Sequence, residues 1–245
     1  MTSAPVADQR RLLDVQELDT RLAQLAHKRR SLPALARLVE LDSRLADLDN
    51  ALVTSRTAAS DLRTAVAKAE ADVAQVRSRA VRDQQRLDGG QVGAKDAQAL
   101  TSELASLAAR QSHLEDVELE VMERLEAHEA VLRDLEQAHD ALVADRDRVV
   151  AERDAGYAEI DAEADRVRAE RDRAADGLDG ALVALYERLR GQLGGSGAAA
   201  LRGNRCEGCR LELNPLDLEA IRARPVDAVV RCEECGRILV RLTDS

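Results

Sequence analysis

Two short hooks, Cys206-Glu-Gly-Cys209 and Cys232-Glu-Glu-Cys235, hold every cysteine in the chain. Two C-x-x-C hooks supply four soft thiolates, the donor set and number that one tetrahedral zinc ion takes. Each hook is short enough for both sulfurs to reach one metal, with backbone amides left free to bond the thiolates. Four sulfurs close the coordination sphere, so the pattern points to one structural Zn2+ held by Cys206, Cys209, Cys232 and Cys235. A catalytic zinc keeps one position for water. Disulfides would need an oxidising compartment, yet the start Met1-Thr-Ser-Ala-Pro5 has neither the basic residues nor the apolar run of a signal peptide. A redox C-x-x-C sits beside a βαβ pattern, and none is visible here.

The rest of the chain must position those hooks, and its composition says how. There is no Trp and no Phe, and Tyr157 and Tyr186 are the only aromatics. A globular core of this size without large aromatic side chains would be unusual. Ala, Leu, Arg, Glu and Asp dominate instead, the makeup of long helices and coiled coils. No apolar run approaches the length of a membrane span, so the chain is read as cytoplasmic, with no membrane partner. Formal net charge is −10, yet from Ala198 to Ser245 eight arginines face eight acids. The acidity therefore lies upstream of the hooks. Neither part has the basic footprint of a nucleic-acid binder.

Heptad spacing supplies the architecture. Leu38, Leu41, Leu45, Leu48, Leu52, Ala59, Leu62, Val66, Ala69, Val73, Val76 and Ala80 recur at alternating steps of three and four, with Ser55 the polar member. Leu18, Leu22, Leu25 and Leu32 repeat the spacing in a shifted register, and Pro33 marks the slip, so a break near Ser31–Pro33 is expected. Glycines at 89, 90 and 93 form a turn. A second seam follows: Leu100, Leu104, Leu107, Leu114, Val121, Leu125, Leu132, Leu135, Leu142 and Val149, then Leu178 to Leu189. Polar members Gln111, Glu118, His128, His139, Arg146 and Arg153 interrupt it and would set register. The spacing predicts a second helix from about Lys95 to Arg190.

The expected fold class is mainly α: a long antiparallel coiled-coil hairpin over residues 1–190, turning at about 88–94, with a small C-terminal β-rich zinc ribbon over 201–245. A glycine-rich flexible linker over 191–200 would join them. No Gly-Lys-Ser/Thr follows it, which excludes a phosphate loop. A turn centred on Gln91 would set Ile160 opposite Leu22 and Val149 opposite Pro33. About eighty residues per arm would make a rod on the order of 120 Å, with the ribbon at the end where the chain starts. The seam is read as holding the hairpin together, which leaves the oligomeric state open. Leu211–Leu213, Asp227–Arg231 and Arg237–Leu242 read as strands, and Asn214 or Asp217 as the cap of a helix over Leu218–Ala223. So small a ribbon would draw much of its folding free energy from the metal.

Three stretches carry a family likeness: the closing segment Val229-Val-Arg-Cys-Glu-Glu-Cys-Gly-Arg-Ile-Leu-Val-Arg241, the run Ala184-Leu-Tyr-Glu-Arg-Leu-Arg190, and the tip Asp83-Gln-Gln-Arg-Leu-Asp-Gly-Gly-Gln-Val-Gly-Ala-Lys-Asp-Ala-Gln-Ala-Leu100. With Leu114 to Arg124 they resemble the bacterial C4-type zinc-ribbon proteins that carry a long N-terminal antiparallel coiled-coil hairpin. That resemblance implies an adaptor or regulator; some members are tied to flagellar or type III export, to the sigma-54 factor, or to RNA. The tip departs from the Asn-Asn-Lys-Glu-Tyr form of those members, reading Gly-Ala-Lys-Asp-Ala and keeping Lys95 and an acid.

The function expected is a non-enzymatic adaptor that presents binding surfaces at both ends. Candidate partner contacts are Arg82, Arg86, Asp88, Gln91 and Lys95 at the tip, and Arg205, Arg210, Arg231, Arg237 and Arg241 on the ribbon. Protein partners are expected, with no small-molecule substrate. The alternatives are an RNA or other nucleic-acid-binding regulator using the ribbon arginines, or a factor that inserts its tip into the RNA polymerase secondary channel through Asp83, Asp88 or Asp96. The ribbon lacks stacking aromatics, which weighs against the first. His113, His128 and His139 read as seam or surface residues, since the cysteines complete a zinc site without them. No nucleophile–base constellation is present.

Overall fold

The computed structural model describes residues 3–242. The first two and last three residues, which fall within the expected limits of hairpin and ribbon, lie outside the described residues. The elements run α1 (Val6–Arg30), α2 (Pro33–Asp88), α3 (Ala94–Ala175), α4 (Gly180–Gln192), β1 (Ala198–Arg202), β2 (Arg205–Cys206), α5 (Pro215–Ala223), β3 (Val230–Arg231) and β4 (Ile238–Arg241). They divide into two compact units, Arg37–Val149 and Met1–Ala36 with Val150–Ser245. A mainly helical hairpin with a small sheet is thus the fold.

In the first unit, the heptad residues Leu38, Leu41, Leu52, Ala59, Ala69, Val73 and Val76 are buried against the returning arm. Two of its polar seam residues meet: Ser55 Oγ lies 3.1 Å from His128 Nε2, which also lies 3.0 Å from the Ser55 carbonyl. Charged pairs lace the arms, Arg56–Glu136 at 3.0 Å, Arg63–Glu129 at 2.6 Å, Arg77–Glu115 at 2.5 Å and, from the seam residue Arg146, Arg146–Asp42 at 2.6 Å. Gly90, at φ +67°, supplies the left-handed turn residue between the arms.

In the second unit, α1 stops where expected. Ser31 N donates to the His27 carbonyl, Pro33 opens α2, and a basic last turn of His27, Lys28, Arg29 and Arg30 suits the negative end of the helix dipole. Leu32 packs beside Gly156, where an added Cβ would lie 3.3 Å from its methyl. Leu22 and Ile160, expected opposite one another, line one groove, whereas Leu32 meets Gly156 rather than residue 150, its mirror about Gln91.

The expected second helix from Lys95 to Arg190 is broken. α3 ends at Ala175, Gly177 takes φ +69°, and α4 starts afresh with Asp179 accepting from the Leu182 N–H at 2.9 Å. Asp8 of α1 accepts from the Asp179 N–H at 2.9 Å and fixes the new direction.

The sheet order is β2-β1-β4-β3, with β1 and β4 parallel and both edge pairs antiparallel. Side chains alternate across it. Ala198, Ile238 and Val240 pack with Leu12, Val15, Leu182, Tyr186 and Leu189 of the helices, whereas Ala199, Leu201, Val230 and Leu239 join Leu213, Leu218, Ile221 and two cysteines on the other face. The 191–200 stretch is not a free linker. Gln16 Oε1 accepts from the Gly197 and Ala198 N–H groups at 2.7 and 3.2 Å, and a Cβ at Gly197 would come within 2.7 Å of the Tyr186 carbonyl oxygen. Its end is strand β1, which the sequence reading missed along with β2. The expected strand at Leu211–Leu213 is reduced to a single bridge between Arg205 and Glu212.

Candidate metal centre

The two hooks are built from tight turns. Arg210 N donates to the Cys206 carbonyl and Gly236 N to the Cys232 carbonyl, each at 2.8 Å, with Arg210 at φ +62° and Gly236 at φ +73°. In the first hook Gly208 is required sterically: a Cβ there would fall 2.9 Å from Ala199 Cβ and 2.8 Å from Arg237 Cδ. The helix between the hooks is α5, capped by Asn214, whose Oδ1 accepts from Leu216 N at 3.0 Å, with Pro215 in the first turn. Leu218 and Ile221 of α5 pack onto the cluster that contains Cys206 and Cys232.

These turns bring all four sulfurs within 4.8 Å of one another, with Cys206–Cys235 and Cys209–Cys232 separations of 3.9 Å. A tetrahedron with zinc–sulfur bonds of about 2.3 Å has edges of about 3.8 Å, so the donors fit one zinc ion. Cys206 and Cys232 are buried; Cys209 and Cys235 are partly exposed. Burial pushes the Cys206 thiol up and takes Cys232 to about 12. Against the same pull, the Arg237 backbone and side chain bring Cys235 down to about 7. The four residues are positioned to bind one structural zinc, with no ligand position left for substrate.

The remaining candidates divide by what holds them. Arg241 is half-buried and donates to the carbonyls of Ile221, Arg224, Pro225, Val226 and Ala228 at 2.7–3.1 Å, so it ties the end of α5 to β4. Arg237 donates to Ser196 at 3.1 Å. Arg231 remains exposed while bonding the Gly236 carbonyl at 2.7 Å, and Arg205 and Arg210 are exposed. At the turn of the other unit, Arg82, Arg86, Asp88, Gln91 and Lys95 are all exposed. Arg82 donates to Ser78 and Asp88 accepts from Gln84, both within α2.

Sequence reasoning missed one buried cluster. Asp19 accepts from the Tyr186 hydroxyl at 2.7 Å and faces Arg171 at 3.3 Å and Arg190 at 3.6 Å, while Glu187 pairs with both arginines. Burial, then Asp19, raises the Tyr186 pKa. The Glu187 carboxyl is held low by Arg190 and Arg171, with burial opposing them. This cluster joins α1, α3 and α4 below the sheet. It is a structural lock, and no donor set in it resembles the four sulfurs.

A helical hairpin joined to a four-cysteine ribbon defines the class of architecture, and no described helix is long and apolar enough to cross a bilayer. The match to known families agrees in both parts. Residues 15–194 match the CT398-like coiled coil hairpin domain and residues 205–239 the C4-type zinc ribbon domain. The chain belongs to the CT398-like coiled-coil hairpin family. It is 39% identical to the uncharacterized protein Rv2229c of Mycobacterium tuberculosis over 98% of this chain and 97% of that one. A solved structure from Mycobacterium smegmatis, 37% identical, superposes with a TM-score of 0.88 over 98% of this chain and 100% of that one. CT398 from Chlamydia trachomatis shares the fold at 19% identity, with a TM-score of 0.71 over 96% and 98% of the two chains.

Proposed function

We propose that the chain is a non-enzymatic, cytoplasmic adaptor or regulator, in which zinc shapes one protein-binding surface and the hairpin turn presents another. The observation that carries this reading is the closed metal site. Four sulfurs at tetrahedral spacing leave no coordination position for a substrate or an activated water. Exposure of Arg82, Arg86, Asp88, Gln91 and Lys95 favours the turn as a contact surface. On the ribbon, Arg205, Arg210 and Arg231 are the contacts proposed, with Arg237 and Arg241 contributing what their carbonyl bonds leave free.

The test is crosslinking and capture of the tagged protein from its own cytosol, with and without RNase. Protein partners that survive RNase and are lost when residues 88–95 are replaced by a plain turn support the adaptor. Recovery that consists of RNA, or that RNase abolishes, overturns it in favour of nucleic-acid binding.

A further inference from the structure

Within Arg37–Val149, the opposite-sign pairs Arg56–Glu136 and Arg63–Glu129 bridge the arms along one side of the hairpin. A second side is built differently. There α2 and α3 frame an open groove of about 710 Å³ whose walls include Ala58 and Ala65 from α2 and Val121 and Val131 from α3. Val131 is 53% exposed, an apolar side chain left in water. Asp61 of α2 and Arg124 of α3 also line this groove. Among the described residues neither has an ion pair or hydrogen bond, although the two carry opposite charge on opposite arms.

Alanines let a second helix approach closely, and the exposed Val131, beside the half-buried Val121, favours burial against apolar surface. The charges decide what can bring that surface. A two-fold interface places the same patch against itself. Two such arrangements lay groove on groove. With the axis across the arms, α2 covers α2 and Asp61 meets Asp61 of the second copy. With the axis along the arms, α2 covers α3 and Asp61 meets Arg124 of the second copy, twice. Only the second is electrostatically complementary. It has the form of a four-helix bundle, in which a hairpin face of alanine and valine is buried.

We infer that the groove bounded by Asp61 and Arg124 is where two copies of this chain pair, face to face, α2 of each on α3 of the other. The interface is separate from the seam and does not depend on what the turn or ribbon binds.

Sedimentation equilibrium of the full zinc-loaded chain tests this. The expected mass is twice the 26.7 kDa of one chain; a monomer up to about 100 µM overturns the proposal, since a specific interface of this kind would be populated well below that. Asp61→Arg and Arg124→Asp should each weaken the dimer at least tenfold, because each sets like charges together twice. Mixing the two variants should restore a dimer of one copy of each, since every contact is then between opposite charges. Circular dichroism checks that both variants keep the parent helicity. A mixture that stays monomeric, or single variants that pair as tightly as the parent, would exclude the Asp61–Arg124 contact between copies.

Discussion

Between Arg37 and Val149 the arms are tied by guanidinium–carboxylate pairs whose arginines, at Arg56, Arg63 and Arg77, are more than half exposed. In the unit that holds both termini, the corresponding ties are Asp19, buried at 3% side-chain exposure, and the Tyr186 hydroxyl it accepts from. Exposed pairs are individually weak and add along the hairpin, so no single one decides the fold. Buried polar groups are costly to leave unpaired, so each one matters. The hairpin is thus built by repetition and the ribbon-bearing unit by a few points that all have to be right. Zinc is the largest of those points.

The greatest contrast should come from the metal. Chelation, or Cys232→Ser, should unfold the ribbon while the helical hairpin persists, because structural zinc supplies on the order of 10 kcal/mol to small folds; one-dimensional proton spectra of the buried methyl groups check this. Next comes the lock. Asp19→Ala should cost about 3 kcal/mol, since it leaves the Tyr186 hydroxyl and Arg171 without their buried partner, and urea unfolding would read it. Arg63→Ala should cost less than about 1 kcal/mol in the same assay, its guanidinium being solvated already. If the two losses were equal, the distinction between repeated and singular ties would fail.

A smaller effect follows acid. Glu187 has a folded pKa below its unfolded value, so its contribution is present above about pH 4.3 and lost as pH falls through the lowered folded value. Stability of the terminal unit should decline in that window, and Glu187→Gln should flatten the decline in an acid titration followed by circular dichroism.

Much of this was legible in the residues. The hooks predicted the sulfur cluster because all four ligands are named by type and spacing alone. The heptads predicted the arms, and Pro33 the break, because both are local rules. The meeting of Ser55 with His128 was visible only as two separate polar seam members; joining them needs the register between arms. Asp19 was hidden for a different reason. The leucines of α1 at Leu18, Leu22 and Leu25 mark one face, but Gln9, Leu12, Val15, Gln16 and Asp19 form the most buried one, since the sheet and α4 pack there. Three of those five residues are polar, and a hydrophobic period cannot find such a face. The end of α3 could have been read from Asp176-Gly-Leu-Asp-Gly180, an Asp cap set between two glycines. Strand β1 could not. Ala198-Ala-Ala is helix-prone by propensity, and only pairing with β4 makes it extended.

The most direct measurement is amide hydrogen exchange along the whole chain, before and after zinc removal. The expected result is loss of protection over residues 198–242 and a smaller loss in α1 and α4, which pack on the sheet, with Leu38–Val76 and Leu107–Val149 unchanged. Loss spreading through the hairpin, or full protection of the ribbon without metal, would contradict a fold in which zinc holds only the module that its four sulfurs build.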